Sequence, residues 1–147
     1  MKEFIRDLNH NYKLDNYRIK KNNVVFEISS ALDEIACPYC GNASSKVHSY
    51  YVREIQDLPI QNKKTTLLVR TRKMFCVNSN CGKKTFSEKH DFVDFKGKKT
   101  KRLEKNIIYM STQLSSVNAS KILKSSNIEV SKSSICEMLK KNAIECG

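Results

Sequence analysis

This chain of 147 residues lacks any long run of apolar side chains, and its mean hydropathy is −0.53. A membrane-spanning helix needs about 20 consecutive apolar residues, so no such helix is expected. The first ten residues, MKEFIRDLNH, contain no apolar stretch of the length found in a signal peptide. Export is therefore not expected, and a cytoplasmic, nucleoid-associated protein without a membrane partner is favoured.

Acidic side chains are scarce relative to basic ones, with 15 Asp and Glu against 27 Lys and Arg, which gives a net charge of +12. Such an excess favours a polyanionic partner, most simply nucleic acid, over an ordinary surface of solvated lysines. The net charge is 0 over residues 1–36, +7 over 37–90 and +5 over 91–147. The surface that faces the anion is therefore expected beyond residue 36.

Four of the six cysteines form two short-spaced pairs in the pattern C-x2-C-x35-C-x4-C. They are Cys37, Cys40, Cys76 and Cys81. Disulfides are rare in a reducing cytosol, where close cysteine pairs usually bind metal. Two knuckles that close one tetrahedral site are typical of a zinc ribbon, and four thiolates leave no open position for water or substrate. The pattern predicts one structural Zn²⁺ and excludes a catalytic one.

The remaining candidate ligands are not expected to bind metal. Cys136 and Cys146 have no second pair beside them and are interpreted as free thiols. His90 lies nine residues beyond Cys81 and is interpreted as a surface histidine.

The hydropathy pattern predicts an α+β fold, with a small β-rich zinc-ribbon module followed by a three-helix helix-turn-helix module. Strands are expected over 46–55 and 65–75, with a turn or loop over 57–64. The alternation places Leu67, Val69, Thr71, Lys73 and Phe75 on one strand face. The predicted segments are an N-terminal helix and β-hairpin over 1–36 that pack on the zinc module, the four-cysteine ribbon over 37–90, a linker over 91–100 and the helices over 101–147.

Three short helices are expected after residue 100. Apolar residues recur with helical period, and Ser131 can cap a third helix over 131–142. The first helix places Leu103, Ile107, Met110 and Leu114 on one face. The second is lined by Ala119, Ile122 and Leu123, and in the third Ile135, Met138 and Leu139 are predicted to face inward. A helix-turn-helix inserts its last helix into the DNA major groove, whereas a generic three-helix bundle is the alternative.

Candidate DNA contacts follow from the same interpretation. Phosphate contacts are assigned to basic residues, and base contacts to the last helix. The residues are Arg70, Arg72, Lys83, Lys84, Lys98, Lys99, Lys101, Lys132, Ser133, Ser134, Glu137 and Lys140. For each lysine a solvated surface charge is the alternative, and Arg70 and Arg72 are alternatively salt-bridge partners on a strand face.

Several features in order resemble the N-terminal zinc-binding region of bacterial insertion-sequence transposases of the ISL-three family. They are the two cysteine knuckles, the sequence Asp57-Leu58-Pro59, the alternating Arg70 and Arg72 before Cys76, and Phe86 after the second knuckle. The stretch NIEVSKSSICEMLKK is similar to the helix-turn-helix of that family. The resemblance implies binding of double-stranded DNA at the terminal inverted repeats of a mobile element, during transposition.

The resemblance also implies a following catalytic domain with an Asp-Asp-Glu triad that holds two divalent metals. The sequence ends at Gly147, and Asp91, Asp94 and Glu104 are interpreted as solvated charges rather than a triad. We therefore expect no enzymatic activity from this chain, as a truncated transposase or an excised part of one. A homodimer or the full-length transposase is a further expected partner.

Two other functions remain open at this stage. A freestanding zinc-ribbon and helix-turn-helix regulator would bind a promoter-linked site. An RNA-binding or protein-interaction zinc ribbon is the second, although the sequence lacks the aromatics interleaved on a basic sheet face that base stacking needs.

Overall fold

The computed structural model describes residues 2–114, 116–142 and 144, and it confirms a mixed α+β fold. The elements in chain order are α1 (Lys2–Leu8), β1 (Tyr12–Lys20), β2 (Asn23–Ser30), β3 (Ile35–Ala36), β4 (Ala43–Ser44), β5 (Val47–Ile60), β6 (Lys63–Phe75), β7 (Thr85–Ser87), α2 (Lys101–Gln113), α3 (Ser116–Ser125) and α4 (Lys132–Lys141). One sheet has the strand order β1-β2-β6-β5, with β7 paired to β6, and β3 pairs with β4 in a second, two-stranded sheet. None of the described helices has the length and apolar character that crossing a membrane requires.

The chain divides into two compact units whose bounds differ from the predicted segments. The first comprises residues 1–17, 26–54 and 67–91, and the second comprises 18–25, 55–66 and 92–147. The division at 91/92 lies one residue from the predicted end of the zinc module. The tips of the two long hairpins belong to the second unit, which the sequence pattern alone did not indicate.

Buried and more exposed side chains alternate along β2 and β6 of the first unit. Phe26 and Ile28 of β2 are fully buried, as are Val69 and Thr71 of β6, and the ring of Phe4 stacks on Phe26 with centroids 5.7 Å apart. The predicted face of β6 is correct only as far as residue 71. Beyond it, Met74 is buried and Phe75 is exposed, because Met74 packs in a second apolar cluster beside the cysteines.

The predicted loop over 57–64 is wrong. Strand β5 continues to Ile60, and the turn is only Gln61 and Asn62, whose φ angles are 49° and 59°. Two consecutive positive φ angles match the right-handed twist of the strands on both sides of a two-residue hairpin. Pro59 is tolerated within β5 because β5 lies at the end of the strand order, where a missing N–H breaks no second ladder.

The second unit contains α2, α3 and α4, at the positions that the helical period predicts. Their buried core consists of Leu103, Ile107, Ala119, Leu123, Ile128, Ile135, Met138 and Leu139, with Met110 and Leu114 partly buried against it. The inward positions predicted for the third helix are therefore confirmed, and of the residues predicted to line the first two helices only Ile122 is exposed. Ser131 caps α4 as predicted, since its hydroxyl accepts a hydrogen bond from the Ser134 N–H at 3.1 Å.

The segment predicted as a linker, residues 91–100, is anchored to the second unit from residue 92 onwards. Phe92 and Val93 are buried, and so is Thr100, whose hydroxyl caps α2 by accepting from the Leu103 N–H. The Gln56 N–H donates to the Lys98 carbonyl at 2.8 Å, so the segment also pairs with β5.

Candidate metal centre and nucleic-acid interface

Two hairpins present the four cysteines. The first knuckle connects β3 to β4, and within it the Gly41 N–H donates to the Cys37 carbonyl at 2.7 Å. Gly41 has φ +80°, a conformation that glycine adopts without strain. The second knuckle connects β6 to β7, where the Cys76 N–H donates to the Lys84 carbonyl at 2.9 Å.

Contacts between the hairpins bring the knuckles together. The Ser44 hydroxyl donates to the Phe75 carbonyl at 2.5 Å, and the Phe75 N–H donates to the Lys46 carbonyl at 2.8 Å. Beneath the cysteines, Met74 and Phe86 are buried in one apolar cluster with the side chain of Cys37. The sulfur positions are therefore fixed by backbone hydrogen bonds and by packing.

The four sulfurs fit a zinc ion. The Sγ atoms of Cys37, Cys40, Cys76 and Cys81 all lie within 4.8 Å of one another, and the separations Cys37–Cys81 and Cys40–Cys76 are 3.9 and 3.6 Å. A tetrahedron with Zn–S bonds of about 2.3 Å requires S–S separations of about 3.8 Å. A disulfide would instead require about 2.05 Å. The predicted ligand set for one structural Zn²⁺ is thus brought together, with no position left for a substrate.

Backbone N–H groups donate hydrogen bonds to three of the four sulfurs. The N–H groups of Asn42, Asn78 and Lys83, each two residues beyond a cysteine, hydrogen-bond to the sulfurs of Cys40, Cys76 and Cys81. The Asn42 amide lowers the pKa of the Cys40 thiol to about 7. The amides of Asn78 and Lys83 also favour thiolates, but burial and the protons shared among the sulfurs raise the pKa of Cys76 to about 12 and also raise that of Cys81. A metal cation that replaces those protons would let all four cysteines remain thiolates despite their burial.

Comparison with known proteins agrees with this geometry. Residues 33–81 match the zinc finger of transposase IS204/IS1001/IS1096/IS1165. The matching model describes the zinc ribbon of ISL-three transposases, and the resemblance predicted from the cysteine knuckles is confirmed over those residues. No curated protein and no solved structure matches the chain.

Outside the zinc ribbon, Cys136 and His90 differ from their predictions. Cys136 is disulfide-bonded, so the prediction of a free thiol is wrong for this residue, and Cys146 lies outside the described residues. His90 is 3 % exposed rather than on the surface. Its ring bridges two strands, because Nδ1 hydrogen-bonds to the Tyr12 hydroxyl and Nε2 lies 2.9 Å from the Thr71 hydroxyl. Burial lowers the pKa of His90 to about 4 and raises that of Tyr12.

The two arginines of β6 occupy different environments. The guanidinium of Arg72 pairs with the Glu88 carboxylate at 2.8 Å and donates to the Leu32 carbonyl at 2.8 Å. Arg72 is thus the salt-bridge partner that the alternative interpretation described. Arg70 is exposed, and its Cζ lies 3.9 Å from the centroid of the Tyr50 ring.

The exposed sheet face around Arg70 carries mixed charge. A concavity of about 360 Å³ on this face is lined by Tyr50, Arg70 and two carboxylates, Asp15 and Glu27. The aromatic beside a cation was not expected from the sequence, but the carboxylates oppose phosphate binding there.

Four of the predicted DNA-contact residues line one cleft in the second unit. Lys98 and Lys99 face Ser134 and Glu137 of α4 across a cleft of about 230 Å³. The other predicted residues of α4, Lys132, Ser133 and Lys140, are exposed, as is Lys101. In the zinc ribbon Lys83 and Lys84 are also exposed, and the Nζ of Lys83 lies 5.5 Å from the Tyr39 ring centroid.

Two of the carboxylates interpreted as solvated are ion-paired. The Nζ of Lys141 lies 2.8 Å from the Asp94 carboxylate and 2.9 Å from that of Glu104. Asp91 accepts a hydrogen bond from the Asn9 side chain at 2.8 Å. The lysine ties α4 to α2 and to the segment that precedes α2, a link for which the sequence offered no signal.

Proposed function

We propose that this chain is the non-catalytic DNA-binding part of an insertion-sequence transposase, and that it recognises the terminal inverted repeats of a mobile element. The observation that carries the proposal is the match of residues 33–81 to a transposase zinc finger, in a chain whose four matched cysteines converge on one metal-sized site. The net charge of +12 supports a polyanionic partner.

The base-reading element of the proposal is α4, acting as the last helix of a helix-turn-helix. The connection between α3 and α4 supports this role. Asn127 ends α3 in the left-handed region with φ 61°, and the Ile128 N–H donates to the Leu123 carbonyl at 2.8 Å. The side chain of Ile128 is buried in the helical core, so the direction in which α4 leaves the turn is fixed. The exposed N-terminal residues Lys132 and Ser133 would then meet base edges.

The phosphate-binding element is the lysine cluster before α2. Lys98 and Lys99 share the cleft with α4, so a duplex that seats α4 in its groove also places phosphates near their ammonium groups. Lys101 follows directly, and Lys83 and Lys84 of the zinc ribbon supply additional cations. Arg72 is not retained among the contacts because its guanidinium is already paired.

The proposal assigns no strand cleavage to this chain. Among the described residues, the most buried carboxylates are those of Asp57 and Glu88, which are held by Arg102 and Arg72. Asp94 and Glu104 share Lys141. Two-metal catalysis needs carboxylates that are free to ligate cations about 4 Å apart, whereas these four are already neutralised by cations of the protein.

The first test measures duplex binding by the zinc-loaded chain. A preferred sequence would be enriched from a random 30-base-pair duplex pool, and its affinity would be measured over a range of salt concentrations. Removing one cation from a phosphate reduces the slope of log K against log salt by about 0.9. Replacing Lys98 and Lys99 by alanine should flatten the slope, whereas the matched pair Lys2 and Lys13, in the neutral N-terminal segment, should leave it unchanged.

The second test locates the base-reading element. Joint replacement of Lys132, Ser133 and Glu137 by alanine should erode the sequence preference by about 1–3 kcal/mol for each base that is no longer read. A preference that survives this replacement would contradict the assignment to α4. Absence of salt-dependent duplex binding by the intact chain would reject the proposed function itself.

A further inference from the structure

Phe95 is the most exposed large apolar side chain in the described part of the protein. Its exposed fraction is 83 %, against 67 % for Tyr109, which follows it. The neighbouring Phe92 and Val93 are only 5 % exposed. A phenylalanine ring held in water forgoes the burial energy of about 1.5–3 kcal/mol that its neighbours obtain, and that energy is available to a partner that covers the ring.

The turn that carries Phe95 is tightly built. The Gly97 N–H donates to the Asp94 carbonyl at 2.8 Å, which closes a four-residue turn, and Lys96 adopts φ 57° within it. A Cβ at Gly97 would lie 2.9 Å from the Asp94 carbonyl oxygen, so the turn has no room for a larger residue there. Below the turn, the Lys101 N–H donates to the Phe92 carbonyl at 2.8 Å.

The same turn is anchored next to α4. Asp94 pairs with Lys141 of α4 at 2.8 Å, while Lys98 and Lys99, directly after the turn, share a cleft with Ser134 and Glu137. The turn therefore lies beside the C-terminal end of α4, and the two lysines that follow it line a cleft that extends along α4 to Ser134.

The chemistry around Phe95 selects an anionic partner. Residues 96–101 contain Lys96, Lys98, Lys99 and Lys101, and the carboxylate directly before the ring, Asp94, is paired with Lys141. The Nζ of Lys96 lies 5.5 Å from the centroid of the Phe95 ring. Repulsion between these cations opposes pairing of this turn with the same turn of a second copy, whereas DNA supplies both phosphates for the lysines and stacked bases for the ring.

We propose that Phe95 is a wedge that inserts between base pairs of the duplex bound by α4 and locally unstacks them. The inference rests on the proposed function and adds to it a residue that distorts the DNA. Insertion of such an apolar wedge costs a few kcal/mol of base unstacking. Stacking on the ring and the additional contacts of a bent duplex offset this cost. A preorganised turn suits this role because the ring needs no further ordering on binding.

The first experiment is a fluorescence measurement, which is possible because the sequence contains no tryptophan. Phe95→Trp introduces a single tryptophan, and its emission, excited selectively over that of the six tyrosines, should be quenched when the enriched 30-base-pair duplex is added. Tyr109→Trp, which places the fluorophore at another exposed aromatic of the same unit, is the matched control and should keep its emission.

Phe95→Ala provides the second measurement. Base–aromatic stacking of about 1–3 kcal/mol corresponds to a weakening of binding by about 5- to 150-fold. The slope of log K against log salt should stay unchanged because no charge is removed. With 2-aminopurine placed in turn at each adenine position of the duplex, the intact chain should raise its emission at one step, and Phe95→Ala should not.

Each outcome decides the inference. If the intact chain and Phe95→Ala bind the duplex equally and no 2-aminopurine position brightens, the inference is wrong while the proposed function stands. If the intact chain self-associates through Phe95, so that Phe95→Ala is monomeric in sedimentation and binds DNA unchanged, the ring is a protein contact and the inference is also wrong. If the intact chain binds no duplex, both fail. Phe95→Ala is expected to retain the melting temperature of the intact chain, since the ring is exposed.

Discussion

The carboxylate of Asp57 is fully buried and is held by the guanidinium of Arg102, with Nη2 2.5 Å from Oδ2 and Nε 2.9 Å from Oδ1. Its Oδ1 also accepts from the Thr100 hydroxyl at 2.7 Å. Thr100 caps α2, so one carboxylate in β5 fixes both the cap and the first turn of that helix. The sequence pattern predicts a turn or loop at Asp57, whereas the residue lies within β5.

Replacing Asp57 by asparagine should destabilise the protein by about 3–5 kcal/mol, because Arg102 and Thr100 would be left without a buried charged acceptor. The free energy of unfolding from chemical denaturation measures the effect. Asp33→Asn, at an exposed position, is the matched control and should change stability by no more than about 0.5 kcal/mol. Equal stability of the two variants would show that the pair adds nothing to the fold.

Acidification should destabilise the protein through His90. The Thr71 hydroxyl donates to the Val69 carbonyl at 3.0 Å, so it accepts from His90 Nε2–H, and Nδ1 accepts from the Tyr12 hydroxyl. This chain of hydrogen bonds requires a neutral ring, and burial lowers the pKa of His90 from 6.5 to about 4. The unfolded chain binds the proton first, so this stabilisation is complete above pH 6.5 and declines as the pH falls towards 4.

The decline between those pH values is about 3 kcal/mol, from the size of the shift in pKa. The measurement is the difference in unfolding free energy between the intact protein and His90→Asn, followed from pH 7 to pH 4. The difference should shrink as the pH falls, because only the intact protein loses this stabilisation. A difference that is constant with pH would mean that His90 is not held neutral.

Local patterns predicted much of the fold. Strand-forming composition and alternation indicated most of β5 and β6, and the helical period identified α2, α3, α4 and most of their core. The four zinc ligands followed from spacing alone, because a knuckle is a local structure with a fixed number of residues.

The long-range polar pairs could not be predicted in the same way. His90 meets Tyr12 across 78 positions and Asp57 meets Arg102 across 45, and neither pair leaves a periodic signal. The switch of the buried face along β6 was also not predictable from alternation, since Met74 is buried by contacts with the zinc-ribbon cluster rather than with the main sheet core. Pro59 indicated a loop because the sequence does not show that β5 lies at the edge of its sheet.

Arg72→Ala and Arg70→Ala should separate a structural arginine from an exposed one on the same strand. Removal of Arg72 leaves Glu88, whose side chain is 3 % exposed, without its cation, and should cost about 3–5 kcal/mol in unfolding free energy. Removal of Arg70 eliminates a stack on Tyr50 at the surface and should cost only about 0.5–1 kcal/mol. Similar destabilisation of both variants would contradict the distinction drawn from their environments.

Zinc removal should unfold the β-rich first unit. The two knuckles are joined by the hydrogen bonds of Ser44 and Lys46 with Phe75 and by a small apolar cluster, so the free energy of metal binding contributes directly to the free energy of folding. The reduced protein should contain one zinc per chain, and Co²⁺ substituted for it should give the absorption spectrum of a tetrahedral thiolate site. Disappearance of sheet circular dichroism on adding a chelator, and its return with Zn²⁺, measures the coupling.

Cys76→Ser tests the ligand set, because an alcohol oxygen does not replace a thiolate at a zinc site. This variant should lose the metal and the chelator-sensitive structure together. Cys136→Ser removes a cysteine outside the cluster and should retain one zinc per chain. Full zinc content in Cys76→Ser, or a folded, reduced intact chain that contains no metal, would contradict the structural role, since the sulfur geometry then would reflect packing alone.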